Sequence, residues 1–114
     1  MPKLTSAIDT HSEEFAINAA SMQAQVDALH RKLDLIHIGG GIETSAKHQA
    51  RGKLLPRERI DALLDPGSAF MELSALAADG QYHDQAPAAG IITGIGCVQG
   101  QEVMIVANDA TVKG

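Results

Sequence analysis

The spacing of the apolar residues changes once along this 114-residue chain, and the change predicts helices followed by strands. Residues 10–38 carry apolar or small side chains at alternating spacings of four and three, as in an amphipathic helix. Thr10 and Glu13 are expected to form a capping box before this helix. Gly39, Gly40 and Gly41 are expected to end it, because glycine adopts the left-handed closing conformation at little cost. The stripe comprises Phe15, Ala19, Met22, Val26, Leu29, Leu33 and Ile36.

Two shorter helices are predicted after the glycines. The first covers residues 44–51, with Thr44 or Ser45 as its cap. The second begins at Pro56, because proline lacks only an N–H that the first helical turn leaves unpaired. We expect Ile60, Leu63 and Leu64 to point inward from it and Arg57, Glu58 and Asp61 to point outward. The segment Asp65-Pro66-Gly67 is a strong stop and turn signal.

The remaining residues predict strands at residues 70–76, 90–98 and 102–107, with a polar loop at residues 78–89. Only Gln99, Gly100 and Gln101 separate the last two strands, which favours a β-hairpin. Residues 103–107 are apolar on both faces, a pattern typical of a strand that is covered on both sides. We expect this chain to contain no element that packs on the second face of this strand. The chain is therefore predicted to be the N-terminal part of a larger protein.

Charge and composition exclude several function classes. The chain has 14 acidic and 9 basic side chains, a formal charge of −5, which argues against nucleic-acid binding. A single cysteine allows no internal disulfide, and the chain contains no apolar run near the roughly 20 residues that span a bilayer. Its first residues lack the apolar core of a secretory signal peptide, so we expect them not to act as one. We therefore expect a cytoplasmic protein that does not bind membranes.

One local feature departs from the acidic balance. Five of the nine cations fall within thirteen residues, and this basic segment forms either a solvated, salt-bridged face or an anion site. The five are Lys47, Arg51, Lys53, Arg57 and Arg59.

The sequence offers few candidates for chemistry. The five histidines lack metal-ligand spacing, so no metal site is expected. Cys97 falls inside a predicted strand, where a thiol is typically an apolar filler. Asp79 and Asp84 are interpreted as solvated turn residues. Residues 108–111 leave an apolar strand at its carboxyl end, where they either close the strand locally or lie near a ligand.

The ordered motifs of the chain resemble one enzyme family. Residues 51–60 (R-G-K-L-L-P-R-E-R-I), 63–68 (L-L-D-P-G-S), 86–96 (A-P-A-A-G-I-I-T-G-I-G) and 105–114 (I-V-A-N-D-A-T-V-K-G) occur in that order. Together they resemble the start of the carboxyltransferase (β) subunit of biotin-dependent acyl-CoA carboxylases. The methylcrotonoyl-CoA carboxylase branch is most similar, the geranyl-CoA branch is near, and the propionyl-CoA branch differs in the last motif.

The resemblance implies an α/β fold of crotonase-like β-β-α units in a spiral, of which this chain would hold an incomplete, α+β portion. Residues 1–41 would be an N-terminal helix with its glycine stop, and residues 42–114 the start of the carboxyltransferase domain. The implied activity is carboxyl transfer from carboxybiotin to 3-methylcrotonoyl-CoA, as in leucine degradation. Biotin would be carried by the partner (α) subunit, and other β subunits would be further partners. Alternatives are a geranyl-CoA or propionyl-CoA carboxylase fragment, a non-catalytic assembly module, or a small CoA-binding module.

The resemblance also implies which residues lie near the substrate. The glycine-rich loops whose N–H groups stabilise oxyanions in this family match nothing in these 114 residues, so no catalytic residue is assigned and the chain alone is expected to be inactive. Residues expected near CoA are Thr111, Lys113, Gly114, Arg51, Lys53, Arg57 and Arg59.

Overall fold

The computed structural model describes residues 1–112, which divide into two compact units, Met1–Lys32 and the described residues from Leu33 onward. Three α-helices precede a three-stranded antiparallel sheet. The elements are α1 (Glu13–His37), α2 (Ile42–Ala50), α3 (Pro56–Leu63), β1 (Met71–Leu73), β2 (Ile91–Val98) and β3 (Gln101–Asn108). None of the helices in residues 1–112 combines the length and the apolar character needed to cross a bilayer.

Helix α1 confirms the long amphipathic helix, but its predicted cap is wrong. The Ser12 hydroxyl, not Thr10, accepts the Phe15 N–H at 3.1 Å, and the same hydroxyl donates to the Asp9 carbonyl at 2.8 Å. Ser12 is the cap because it lies three residues before an N–H that the first turn leaves without a partner. Gly39 ends the helix as expected, with a φ of +66° and its N–H bonded to the Ile36 carbonyl.

Two predictions about the short helices are wrong. Helix α2 starts at Ile42 after Gly41 without a side-chain cap, because the glycine turn already directs the chain into helix. Helix α3 starts at Pro56 as predicted, yet Leu63 is 51% exposed and Arg57 is partly buried. The chain leaves helical geometry at Leu64 (φ −68°, ψ 148°), so helical spacing does not describe where the last leucines lie.

The sheet has the order β1-β2-β3 and contains the expected hairpin. Its loop is the two residues Gln99 and Gly100, with φ of +50° and +78°, and Val98 pairs with Gln101. Positive φ at both positions matches the twist that hairpin strands need. The strand predicted at residues 70–76 is only three residues long, because Ser74 turns away with a φ of +57°. The loop predicted at residues 78–89 forms two short 3₁₀ turns, Tyr82–Asp84 and Pro87–Gly90, the second of which extends one residue beyond it.

One face of the sheet forms the core against α3. Ile60, Ile92 and Ile105 are buried there, at 3%, 3% and 7% exposure. Two glycines of β2 make the close packing possible, since a Cβ on Gly94 would lie 2.4 Å from the Phe70 ring and one on Gly96 would lie 2.3 Å from the Leu64 side chain. The glycines that interrupt the apolar pattern of this strand are therefore the places where neighbouring side chains approach its backbone.

The other face of the sheet is apolar and open among the described residues. Met104 and Val106 of β3 are 60% and 65% exposed, although their neighbour Ile105 is buried on the opposite face. Cross-strand pairing places the six apolar residues of this open sheet face together. They are Met71, Leu73, Ile91, Ile95, Met104 and Val106.

Candidate functional site

The basic segment divides into residues with internal partners and residues without them. Arg57 makes two hydrogen bonds to the Glu72 carboxylate, at 2.8 and 2.9 Å, and these side chains are only 27% and 16% exposed. His37 Nε2 lies 3.7 Å from the same carboxylate. Lys47 pairs with Glu43 at 2.8 Å on the surface of α2. For Arg57 and Lys47 the structure therefore favours the salt-bridged alternative.

Two other cations line an open cleft of about 370 Å³. The lining residues are His48, Lys53, Leu54, Arg59 and Ala110, and none of them is acidic. Arg59 donates one N–H to the Asn108 carbonyl at 2.8 Å, which ties α3 to the end of β3. Within residues 1–112, Lys53 has neither a hydrogen bond nor an ion pair. Arg51 is exposed and does not line the cleft.

The turn between α2 and α3 shapes this cationic cleft. Gly52 reverses the chain with a φ of +76°, a conformation that favours glycine. His48 Nε2 then donates to the Leu54 carbonyl at 3.0 Å across the turn. Glu58 accepts the Leu55 N–H at 2.7 Å, which caps the start of α3, and the Gln49 amide at 2.9 Å, which joins α3 to α2.

The segment after β3 contacts the three glycines that follow α1. The Thr111 hydroxyl accepts the Gly40 N–H at 2.9 Å and donates to the Asp109 carboxylate, and Thr111 is only 8% exposed. Gly40 fits because a Cβ there would lie 1.7 Å from the Thr111 carbonyl oxygen. Of the two interpretations of residues 108–111, local closure accounts for the hydroxyl of Thr111. Lys113 and Gly114, expected near CoA, lie outside the described residues.

Asp65 lies outside the β2–β3 hairpin but accepts hydrogen bonds from three of its residues. Its carboxylate accepts the N–H groups of Gln99 at 2.6 Å and Gly100 at 2.8 Å, and the Cys97 thiol at 3.3 Å. The hydrogen bonds from Gly100, Gln99 and Cys97 lower the pKa of Asp65. The bond to Asp65, with some desolvation, raises the pKa of the Cys97 thiol, which disfavours the nucleophilic thiolate.

The remaining polar candidates do not assemble into a catalytic centre in residues 1–112. Asp84 accepts the Gly80 N–H at 2.8 Å and so closes its own loop. No group of three His, Cys, Asp or Glu side chains within the described part of the chain could hold a metal ion. The cleft is a concave feature whose lining carries two cations, Lys53 and Arg59. Sequence reasoning missed His48 there, because only the turn at Gly52 brings the last turn of α2 beside Lys53 and Arg59.

Residues 47–114, which include the cleft-lining residues and the whole sheet, match the family model described as the carboxyl transferase domain. The chain belongs to the carboxyl transferase domain family. This confirms the resemblance drawn from the motifs, and the order of helices followed by antiparallel strands agrees with it.

Comparison with individual proteins shows which carboxylase subunits this carboxyl transferase chain is similar to. It is 60% identical over 89 residues to a biotin-dependent 3-methylcrotonyl-coenzyme A carboxylase beta1 subunit of Mycobacterium tuberculosis, covering 78% of this chain and 17% of the relative. It is 47% identical over 111 residues to a mitochondrial methylcrotonoyl-CoA carboxylase beta chain of Arabidopsis thaliana, covering 97% and 19%. A propionyl-CoA carboxylase carboxyltransferase subunit of Haloferax mediterranei is 35% identical over 99 residues, covering 82% and 19%.

A solved structure supports the same fold. The beta subunit of Pseudomonas aeruginosa geranyl-CoA carboxylase superposes with a TM-score of 0.81 at 35% identity, covering 99% of this chain and 21% of that one. The chain thus spans about a fifth of the length of the proteins it matches.

Proposed function

We propose that this chain is the N-terminal part of the β subunit of a biotin-dependent 3-methylcrotonoyl-CoA carboxylase. The subunit would transfer a carboxyl group from carboxybiotin to the γ carbon of the acyl-CoA, in a leucine-degradation type of reaction. The observation that carries the proposal is the difference in identity, 60% and 47% to relatives named for methylcrotonoyl-CoA against 35% to one named for propionyl-CoA. Geranyl-CoA and propionyl-CoA carboxylases remain the alternatives.

We propose further that the sheet is the beginning of a crotonase-like spiral, with residues 1–41 preceding the carboxyltransferase domain and residues 42–114 opening it. The open sheet face supports this arrangement, because exposed Met104 and Val106 would become buried if further layers of the subunit packed on them. In the whole assembly, biotin would arrive on the partner α subunit, and other β subunits would complete an oligomer. We assign none of residues 1–112 to biotin.

The residues of this chain would bind substrate rather than react with it. We propose that the cations of the cleft, Lys53 and Arg59, lie near the phosphates of CoA, where they would offset negative charge. The polar groups of Arg57 and Thr111 already bond within the chain, so their expected place near CoA has less support. For Arg51, Lys113 and Gly114 it stays a prediction. Oxyanion stabilisation would come from glycine-rich loops that this sequence does not contain.

A domain exchange tests the proposed branch. The 111 matched residues of the Arabidopsis methylcrotonoyl-CoA carboxylase beta chain would be replaced by their counterparts from this chain, and the matched residues of the Haloferax propionyl-CoA subunit would be replaced in parallel. We expect carboxylation of 3-methylcrotonoyl-CoA to survive in the first hybrid. Propionyl-CoA carboxylation should be largely lost in the second, because its packing partners differ more.

Two results of this exchange would contradict the proposal. One is a methylcrotonoyl hybrid that assembles at normal size but has no activity. The other is a propionyl hybrid that is the more active of the two. The 114-residue chain mixed with the biotin-bearing subunit serves as the control and should show no carboxylation; measurable product there would mean that catalytic groups were overlooked.

The assembly-module alternative is favoured by one observation. Helix α1 has 25 residues and none is buried, while Phe15, Met22 and Leu29 of its stripe are 39%, 60% and 41% exposed. Such a stripe could dock on a partner helix. Size-exclusion chromatography of this chain mixed with an intact β subunit distinguishes the alternatives, since co-elution supports docking and separate elution opposes it.

A further inference from the structure

We infer that β1 is a strand with two lengths. It ends at Leu73 in this structure, and it extends to Leu76 when Ser74 leaves its left-handed conformation. This change is a property of the chain itself and does not depend on the proposed function. The apolar pattern of residues 70–76 predicts a strand along its whole length, yet the structure ends β1 after three residues. Such a disagreement between sequence pattern and structure is typical of strained or functional positions.

The edge of β2 that faces β1 is only partly paired. The Asp109 N–H donates to the Gly90 carbonyl at 2.8 Å, so every second residue from Gly90 onward directs its backbone polar groups toward β3. Residues 91, 93 and 95 therefore direct theirs toward β1. Positions 93 and 95 have partners in β1, whereas Ile91 pairs with β3 alone in the described part of the chain.

A longer β1 would supply the missing partner of Ile91. Leu73 pairs with Thr93, and continuing this antiparallel register by two residues pairs Ala75 with Ile91. Two backbone hydrogen bonds would then form between Ala75 and Ile91. At present the Ala75 N–H has no hydrogen-bond partner among residues 1–112, and the Ile91 N–H donates to the Ala88 carbonyl in the second 3₁₀ turn.

Left-handed residues hold β1 in its short form. Ser74 has a φ of +57°. Ala88 and Ala89, in the turn that competes for the Ile91 N–H, have φ of +52° and +53°. None of the three is a glycine, so each adopts a conformation that its Cβ disfavours. Extension of β1 would give Ser74 an extended φ and open the turn, so that strain would be released at both ends of the segment together.

The longer strand would also relocate two apolar side chains. Leu76, now 41% exposed, would lie opposite Gly90 on the core face, where the Val112 side chain is 3.4 Å from the position of a Gly90 Cβ. Ala75 would join the open sheet face beside Ile91. A structure that packs on this face and contacts Ala75 would favour the longer strand, because binding shifts a conformational equilibrium toward the state that is contacted better.

Ser74→Val tests the inference by NMR, because a β-branched residue disfavours positive φ. We expect a cross peak between the Hα atoms of residue 74 and Ile92, which face each other in the longer strand. The Ala75 amide should exchange with solvent about 5-fold more slowly than in the wild type, after correction for the intrinsic rate of the new sequence. Ser74→Gly is the matched control, since glycine tolerates positive φ, and it should show neither change. Protection of the Ile105 amide reports that each variant is folded.

A second pair of variants measures the strain at the other end of the segment. Ala89→Gly should raise the folding equilibrium constant about 2- to 10-fold in urea titrations, because glycine relieves a φ of +53°. Ala86→Gly, at a φ of −125°, should lower it about 2- to 5-fold through the added freedom of the unfolded chain. Two results would overturn the inference. One is an equal loss of stability in both glycine variants, and the other is an unprotected Ala75 amide in Ser74→Val while Ile105 stays protected.

Discussion

The ion pair between Arg57 and Glu72 allows a quantitative prediction, because it joins α3 to β1 through two hydrogen bonds at 2.8 and 2.9 Å. Exposed pairs contribute roughly 0.2–1 kcal/mol, and removing one partner of a fully buried pair costs about 3–5 kcal/mol. With side chains 27% and 16% exposed, this pair lies between those limits. We expect Arg57→Ala to reduce the free energy of unfolding by about 2–3 kcal/mol, since it leaves the largely desolvated Glu72 carboxylate with His37 as its remaining neighbour at 3.7 Å.

Urea denaturation followed by circular dichroism measures this loss, and a double-mutant cycle with Glu72→Ala isolates the pair. The coupling energy should be about 1–2 kcal/mol. Arg51→Ala, an exposed arginine on the same segment, is the control and should change stability by less than about 0.5 kcal/mol. A coupling energy below about 0.5 kcal/mol, or equal losses for the two arginines, would refute the structural role of Arg57 and return it to the ligand-binding candidates.

Three further predictions concern the core, the glycine contact and the hairpin. Ile60→Ala should lower the free energy of unfolding by about 2–5 kcal/mol in urea titrations, because it empties space among buried isoleucines; a loss under about 1 kcal/mol would contradict that core. Gly40→Ala should cost about 2–4 kcal/mol by the same assay, through its clash with Thr111 and the lost hydrogen bond, and an unchanged midpoint would argue against the contact. The lowered pKa of Asp65 means that its stabilisation is complete above the unfolded carboxyl pKa of about 3.9 and is lost as pH falls through the folded value. In thermal melts, the stability of Asp65→Asn should therefore depend less on acid pH than that of the wild type. Cys97 in this variant should also react faster with iodoacetamide near pH 8, because the carboxylate that raises the pKa of the thiol is gone. Identical acid profiles and alkylation rates in the two proteins would rule out the Asp65 contacts.

The order of elements could be predicted from local signals. Gly39 and Pro56 end and begin helices through their own backbone preferences, and Gly100 permits the two-residue hairpin loop. The failures arose where partners are distant in sequence. Arg57 points toward the sheet because Glu72 is there, and Leu64 packs on Gly96 because the helix has already ended. The helical periodicity of the sequence predicts neither of these two contacts.

The candidate site was only partly predictable for the same reason. The sequence identified a concentration of cations but could not separate Lys53 and Arg59, which share a cleft, from Arg57, which does not. That separation depends on the reversal at Gly52 and on the position of the end of β3 beside α3, where Arg59 donates to the Asn108 carbonyl. Family motifs indicated the protein class, whereas the distribution of charge required three-dimensional contacts.

The hydrogen bond from Gly40 to Thr111 joins positions 71 residues apart, nearly the full span of the unit that contains them. Contacts at such sequence separation restrict the chain only after most other structure has formed, so we expect this latch to be among the last to close and the first to release. Hydrogen exchange should therefore be faster at the Gly40 amide than at Ile105 in the sheet, and equal rates would show that the unit opens only as a whole. Reversible breaking of this hydrogen bond would allow the segment after β3 to contact other residues while the buried isoleucine core stays intact.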